Sequence, residues 1–96
     1  GMAEEEADVK LVDIKVYESG FRAMKNVLAG RNERALYKMI VDAATDKVVG
    51  LHLIGPDSAE ILQAAAIAVK AGLTKKAFDD TVALHPSMAE ELVLMK

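Results

Sequence analysis

The sequence predicts an α+β fold in which an antiparallel sheet forms one layer and helices pack on it. Three observations lead there. Val12, Ile14 and Val16 alternate with Asp13, Lys15 and Tyr17, the period of a half-buried strand. Residues 35–43 and 48–54 are two further β-type runs joined by a polar turn, the pattern of an antiparallel hairpin. After Asp57 apolar residues recur at helical spacing, with Gly72 placed to end the helix.

Taken in order, the chain opens with Gly1 before Met2, which reads as the remnant of a removed tag, and with a Glu4-Glu5-Glu6 run that by itself suits a disordered acidic start. Residues 1–8 are therefore set apart from a domain expected over 9–96. Val9 and Leu11 are out of phase with the first strand, which starts at Val12 or contains a bulge, and Ser19-Gly20 is expected to end it. Phe21, Met24, Val27 and Leu28 then fall at the spacing of a short helix closed by Ala29-Gly30, and Arg31 to Arg34 form a polar loop. In the hairpin, Tyr37, Met39 and Val41 share one face, Leu36, Lys38 and Ile40 the other, and Ala44 to Lys47 make the turn. Val48 to Ile54 is apolar on both faces apart from Gly50 and His52, so this strand is expected to be central. Gly55-Pro56 stops it, and Asp57-x-x-Glu60 has the form of a capping box. The helix runs to about Ala71 with Ile61, Ala65, Ala68 and Val69 as its stripe, while Ala64, Ala66 and Ala71 permit close approach to a sheet or another helix. Thr74 can cap a further short helix through Phe78.

Composition narrows the function. Ninety-six residues with 52% apolar and 28% charged side chains describe one small globular domain, whose thin stability margin a partner surface would help. Twelve basic against 15 acidic residues give a net charge of −3, without the basic footprint of a nucleic-acid binder. No apolar run reaches the roughly 18–20 residues that span a bilayer, and no signal-peptide pattern opens the chain, so a soluble, cytoplasmic protein is expected. Cysteine is absent, which excludes redox chemistry by thiols of this chain. His52 and His85 lie in separate elements, so no metal site is expected.

The stretch Thr81-Val82-Ala83-Leu84-His85-Pro86-Ser87-Met88-Ala89-Glu90-Glu91 carries the chemistry. Proline keeps the preceding residue out of the helical region, so His85 is extended at the end of an apolar run. Ser87 and Glu90 then make a capping-box pair that starts a helix through Met95. A carboxylate beside an imidazole fixes its tautomer and favours the imidazolium, which suits a general acid. The residues alone leave two readings: a His85–Glu90 acid/base pair, or a turn histidine beside a glutamate that caps its own helix.

Over nearly its whole length the chain resembles the C-terminal dimerisation domain of the pyridine-nucleotide disulfide oxidoreductases, and within that family the glutathione-reductase branch. The marks are Gly30-Arg31-Asn32-Glu33, the hairpin from Tyr37 to Gly50, Gly55-Pro56-Asp57 with its helix, Lys70 to Lys76, Phe78 to Val82, and His85-Pro86-Ser87 before Glu90-Glu91. The resemblance implies a homodimer formed through this domain of an enzyme that carries FAD and NADPH on other domains and reduces glutathione disulfide. It implies that His85 protonates the departing thiolate in the neighbouring subunit, that Glu90 orients and charges His85, and that Pro86, on a typically cis peptide, lies beside the flavin. Alone, the chain would be inactive. It departs from the family in lacking the glycine fingerprint and the Cys-x4-Cys pair of the upstream domains, in having Ser87 where Thr is usual, and in lacking the opening strand, which is expected to leave a sheet edge open.

Other residues read more plainly. His52 is expected to be packed or hydrogen-bonded, and Lys25, Arg31, Arg34 and Lys38 to be a solvated surface rather than a cluster facing an anionic tripeptide. Met88, Leu92 and Met95 form a stripe that suits either a core or an interface. Two further functions stay open: a free-standing interaction module without catalysis, and the same domain of a dihydrolipoamide-dehydrogenase-type enzyme.

Overall fold

The computed structural model describes residues 2–22, 34–84, 87 and 89–95. A helix, α1 (Glu4–Lys10), precedes three strands, β1 (Ile14–Arg22), β2 (Arg34–Asp42) and β3 (Val48–Ile54). Three helices follow: α2 (Ser58–Lys70), α3 (Lys75–Asp79) and α4 (Glu91–Leu94). The strands form one antiparallel sheet in the order β1-β2-β3. The α+β class read from the sequence is the observed one, and the hairpin strands fall within a residue of their expected bounds.

The central strand is β2 and not β3. Tyr37, Met39, Ile40 and Val41 of β2 are fully buried, so β2 is covered on both faces, as a middle strand must be. The apolar character of β3 on both faces has a different cause. Ile40 pairs with Gly50 while Val41 pairs with Val48, so Val49 is an extra residue, a β-bulge. The bulge turns Val48 to the same face as Leu51, and both are buried there. That face carries the main core, in which Ala35, Tyr37, Met39, Val41, Val48 and Leu51 meet Ala65, Phe78, Leu92 and Met95.

The opposite face is closed by α1. Ala7 is fully buried, Glu4 pairs with Lys38 at 2.5 Å, and the Met2 amide donates to the Val49 carbonyl at 2.8 Å. The Glu4-Glu5-Glu6 run, expected as a disordered start, is thus the first turn of a docked helix whose positive N-terminal end favours acidic side chains. Met2 crosses β3 at Gly50, where a Cβ would come within 2.1 Å of the Met2 carbonyl oxygen. His52 is exposed with Nε2 3.1 Å from the same oxygen, so it is the hydrogen-bonded histidine expected. Strand β3 is thus an edge strand, and its outer side is met by Met2 and by the Leu73 carbonyl, which accepts from the Val48 amide at 3.0 Å.

Strand β1 begins at Ile14, leaving Val12 fully exposed, and continues through Ser19-Gly20 to Arg22 instead of stopping. Unbroken pairing with β2 carries the ladder past Gly20, which lies opposite Leu36. Tyr17, opposite Met39, packs on the core, while Ile14 is half-buried and Val16 37% exposed on the other face, so β1 is partly covered on both faces. Phe21, read as the start of a helix, belongs to β1; Met24, Val27, Leu28 and the loop residues Arg31 to Glu33 lie outside the described residues.

The capping box expected at Asp57 is not formed. Asp57 sits in the left-handed region at φ 60° and its side chain makes no cap hydrogen bond, while the Ser58 hydroxyl donates to the Gly55 carbonyl at 2.6 Å. At the far end of α2 the Gly72 amide donates to the Val69 carbonyl and the Leu73 amide to the Ala68 carbonyl, a Schellman closure with Gly72 at φ +74°. Thr74 caps α3 as expected, its hydroxyl accepting from the Ala77 amide at 3.0 Å. A Cβ on Gly72 would touch only the Lys47 side chain at 3.8 Å or beyond, so the cost of Gly72→Ala lies in the backbone. Urea unfolding should show a loss of roughly 1–2 kcal/mol; unchanged stability would contradict the left-handed assignment.

Candidate functional site

The segment that bears the expected chemistry leaves α3 at Asp79 and ends at Met95. Its first part is exposed: Val82 is 89% and Leu84 77% accessible. Its last part is anchored, with the side chains of Leu92 and Met95 in the core beneath α2 and α3. The stripe of Leu92 and Met95 is therefore core; Met88 lies outside the described residues, as do His85 and Pro86.

Glu90 is half-buried on the turn before α4, and its amide donates to the Ser87 hydroxyl at 3.2 Å. One half of the expected Ser87–Glu90 capping pair is thus present. The helix it starts is short, because the Leu92 and Val93 amides donate three residues back, to Ala89 and Glu90, and α4 ends at Leu94. The neighbouring carboxylate turns inward, Glu91 accepting from the Ser19 hydroxyl of β1 at 3.4 Å. Beneath it lies Tyr37, whose phenol is held above its usual value of 10.0 by burial, and further by the negative charges of Glu91 and Asp57. The arm thus meets β1 at Ser19, near the buried phenol of Tyr37.

Lys75 completes the anchoring. It is the one buried charged residue among those described, 4% exposed, with Nζ 2.5 Å from Asp79 Oδ1, 2.7 Å from the Met95 carbonyl oxygen and 4.6 Å from the centroid of the Tyr17 ring. By contrast Lys76 is exposed and pairs with Asp80 at the surface, and hydrogen bonds to Asp80 and, at Lys38, to Glu4 raise the pKa of these two ammonium groups. Lys38 therefore belongs to the α1 contact; Lys25, Arg31 and the Arg34 side chain lie outside the described residues.

With this geometry in place, comparison with known proteins is decisive. Residues 1–96 match the family described as "Pyridine nucleotide-disulphide oxidoreductase, dimerisation domain". The chain belongs to this family. Its similar relatives include glutathione reductases from Nostoc sp. (50% identical over 98 residues), Burkholderia cepacia (44% over 96) and Pisum sativum, where the protein is named chloroplastic/mitochondrial (49% over 96). Each alignment covers 100% of this chain but only 21%, 21% and 17% of the relative, so the chain spans about a fifth of the length of the curated relatives it matches. Among solved structures, an HOCl-induced flavoprotein disulfide reductase from Escherichia coli, RclA, superposes with a TM-score of 0.82 at 30% identity, covering 96% of this chain and 21% of that one.

The sequence reading found Ser87 and Glu90 but missed Lys75, Ser19 and Tyr37. The i,i+4 spacing of Lys75 and Asp79 was a usable signal, yet it also fits an ordinary surface pair such as Lys76–Asp80. Ser19 and Tyr37 become visible only once register sets them opposite one another.

The Tyr37 environment has a consequence for pH. A phenol whose folded-state pKa is raised binds its proton more tightly in the fold, so its contribution is fully present below pH 10 and is lost as pH rises through the folded value. Urea unfolding across the alkaline range should show stability falling with pH, and Tyr37→Phe should make that fall shallower. An equally steep fall in the variant would show that Tyr37 does not titrate this way.

Proposed function

We propose that this chain is the C-terminal dimer-interface domain of an FAD- and NADPH-dependent glutathione-disulfide reductase, inactive alone, that lends a proton donor to its partner subunit. The observation that carries this reading is the match along the whole chain to proteins named glutathione reductase at 44–50% identity, each about five times as long. The likeness to a flavoprotein disulfide reductase at a TM-score of 0.82 supports the wider reaction class.

On this reading His85 is the acid–base residue. When the substrate disulfide is cleaved, one sulfur leaves as a thiolate, and the His85 imidazolium supplies its proton. The Glu90 carboxylate would fix the tautomer of His85 and favour its charged form, while Pro86 would stiffen the bend and be this chain's contact to the flavin. Support for a rigid delivery comes from the bond between Ser87 and the Glu90 amide, and from Leu92 and Met95 held in the core just beyond.

The dinucleotides belong elsewhere in the enzyme. A cavity between α2, α3 and α4 is lined by Ile61, Ala68, Leu73, Phe78 and Leu92, and one beside β3 by Met2, Leu51, Leu62 and Lys70. The first wall is apolar and the second offers the lone cation of Lys70, whereas a pyrophosphate needs clustered amides or cations. Homodimerisation through this domain and glutathione disulfide as substrate are parts of the same proposal. So is a cytoplasmic location, against which the chloroplastic/mitochondrial name of the pea relative stands as the other outcome. No described helix is long and apolar enough to cross a membrane.

Turnover assays on the complete protein test this reading. Glutathione disulfide should be reduced at the expense of NADPH; a preference for lipoamide would move the domain to the dihydrolipoamide-dehydrogenase type, and no turnover would leave an interaction module. His85→Ala should lower turnover by about 100-fold or more with flavin content unchanged. Undiminished turnover would remove His85 from the mechanism.

A further inference from the structure

Residues 80–94 make an excursion between Asp79 and Met95 that rejoins the core at Leu92, and the two residues that flank it meet on one atom. Lys75 Nζ is 2.5 Å from Asp79 Oδ1, at the exit, and 2.7 Å from the Met95 carbonyl oxygen, at the return. Its third neighbour is the Tyr17 ring of β1, 4.6 Å away, which fixes the clip to the sheet. The site is 4% exposed, so the ammonium is paired where its interactions are least screened. A buried lysine is otherwise costly, and an apolar side chain there would leave the Met95 carbonyl without this donor.

The excursion needs such a closure. Val82 and Leu84, on the approach to the His85-Pro86 pair, are 89% and 77% exposed. Where the approach to a functional pair is this exposed, the ends of the loop do more to set its position, and closing them restricts the conformations it can sample. Leu92 and Met95 anchor one limb by burial, but apolar contacts resist sliding only weakly compared with a charged group bonded in fixed directions.

We propose that Lys75 is a positioning residue, a buried clip that closes the loop carrying His85 and Glu90 and thereby sets where that loop presents its acid. The role rests on the function proposed above, whereas the clip itself does not. Lys75 touches neither substrate nor cofactor, so its removal changes how often the loop is in place. The chemistry of the acid is left alone. The effect therefore falls on kcat more than on KM.

Two measurements on Lys75→Met separate these points. In hydrogen exchange, the amides of Leu92 to Met95 should exchange faster while those of β2 and β3 keep their protection. In the complete protein, kcat for glutathione disulfide should fall by about 10- to 100-fold, as misplacement on the ångström scale does, with KM changed by about two-fold or less. Unchanged exchange at residues 92–95 overturns the clip. Faster exchange there with undiminished kcat overturns the positioning role and leaves the proposed function standing. If the wild-type protein fails to turn over glutathione disulfide, the proposed function falls, and exchange still decides the clip. Should Lys75→Met lose the sheet's protection as well, Asp79→Asn, which weakens one bond at a 45% exposed carboxylate, decides in its place: faster exchange at 92–95 supports the clip and unchanged exchange rejects it.

Discussion

Burial of the Lys75 ammonium obliges the chain around it to supply partners, and those partners come from three places far apart in sequence or structure type: the end of α3, Met95 after α4, and β1 of the sheet. A charge withdrawn from water to 4% exposure is tolerable only when its protons are directed at acceptors, so the geometry at this point is restrictive in a way that apolar packing is not. The short helices gain from it. Neither α3 nor α4 is long enough to be stable by its own hydrogen bonds, and each is held by what it touches.

The sheet divides the remaining work. One face of β2 takes the α2, α3 and α4 side chains, and the bulge at Val49 lets β3 give both Val48 and Leu51 to that face. The other face is closed over Ile40 and Gly50 by α1 and Met2, the latter using the absence of a side chain at Gly50 to come close. A domain of this size has little burial to spare, and several large apolar side chains, among them Ile54, Ile67 and Leu94, stay exposed. That is the surface character of a domain whose family is defined by dimerisation.

Much of this was legible in the residues. Val48–Ile54, the Thr74 cap and the Gly72 terminus were read correctly because local chemistry decides them: a β-branched run, a hydroxyl before a helix, a left-handed closing residue. Where tertiary pairing decides, local signals failed. Ser19-Gly20 has the look of a stop, yet β2 continues alongside and the ladder runs on. Asp57 has the look of a cap, but the turn from Gly55 puts it in the left-handed region. The order of the strands was misjudged because a bulge mimics two-sided burial. At the site, Glu90 and Ser87 were legible as a capping pair, whereas Lys75 was hidden among surface-like lysines; what buries it is the return of Met95, which no local pattern contains.

Delivery of the acid from one subunit to the site of the other is the claim on which the functional reading turns, and mixed dimers address it directly. Two inactive forms of the complete protein, one with His85→Ala and one lacking the upstream cysteine pair that the proposed function requires, would be co-expressed and the hybrid dimer isolated. Turnover should reappear in the hybrid, since one of its two sites then has both the cysteines and a neighbour's intact His85. A hybrid as inactive as its parents would show that the arm of this domain does not serve the other subunit.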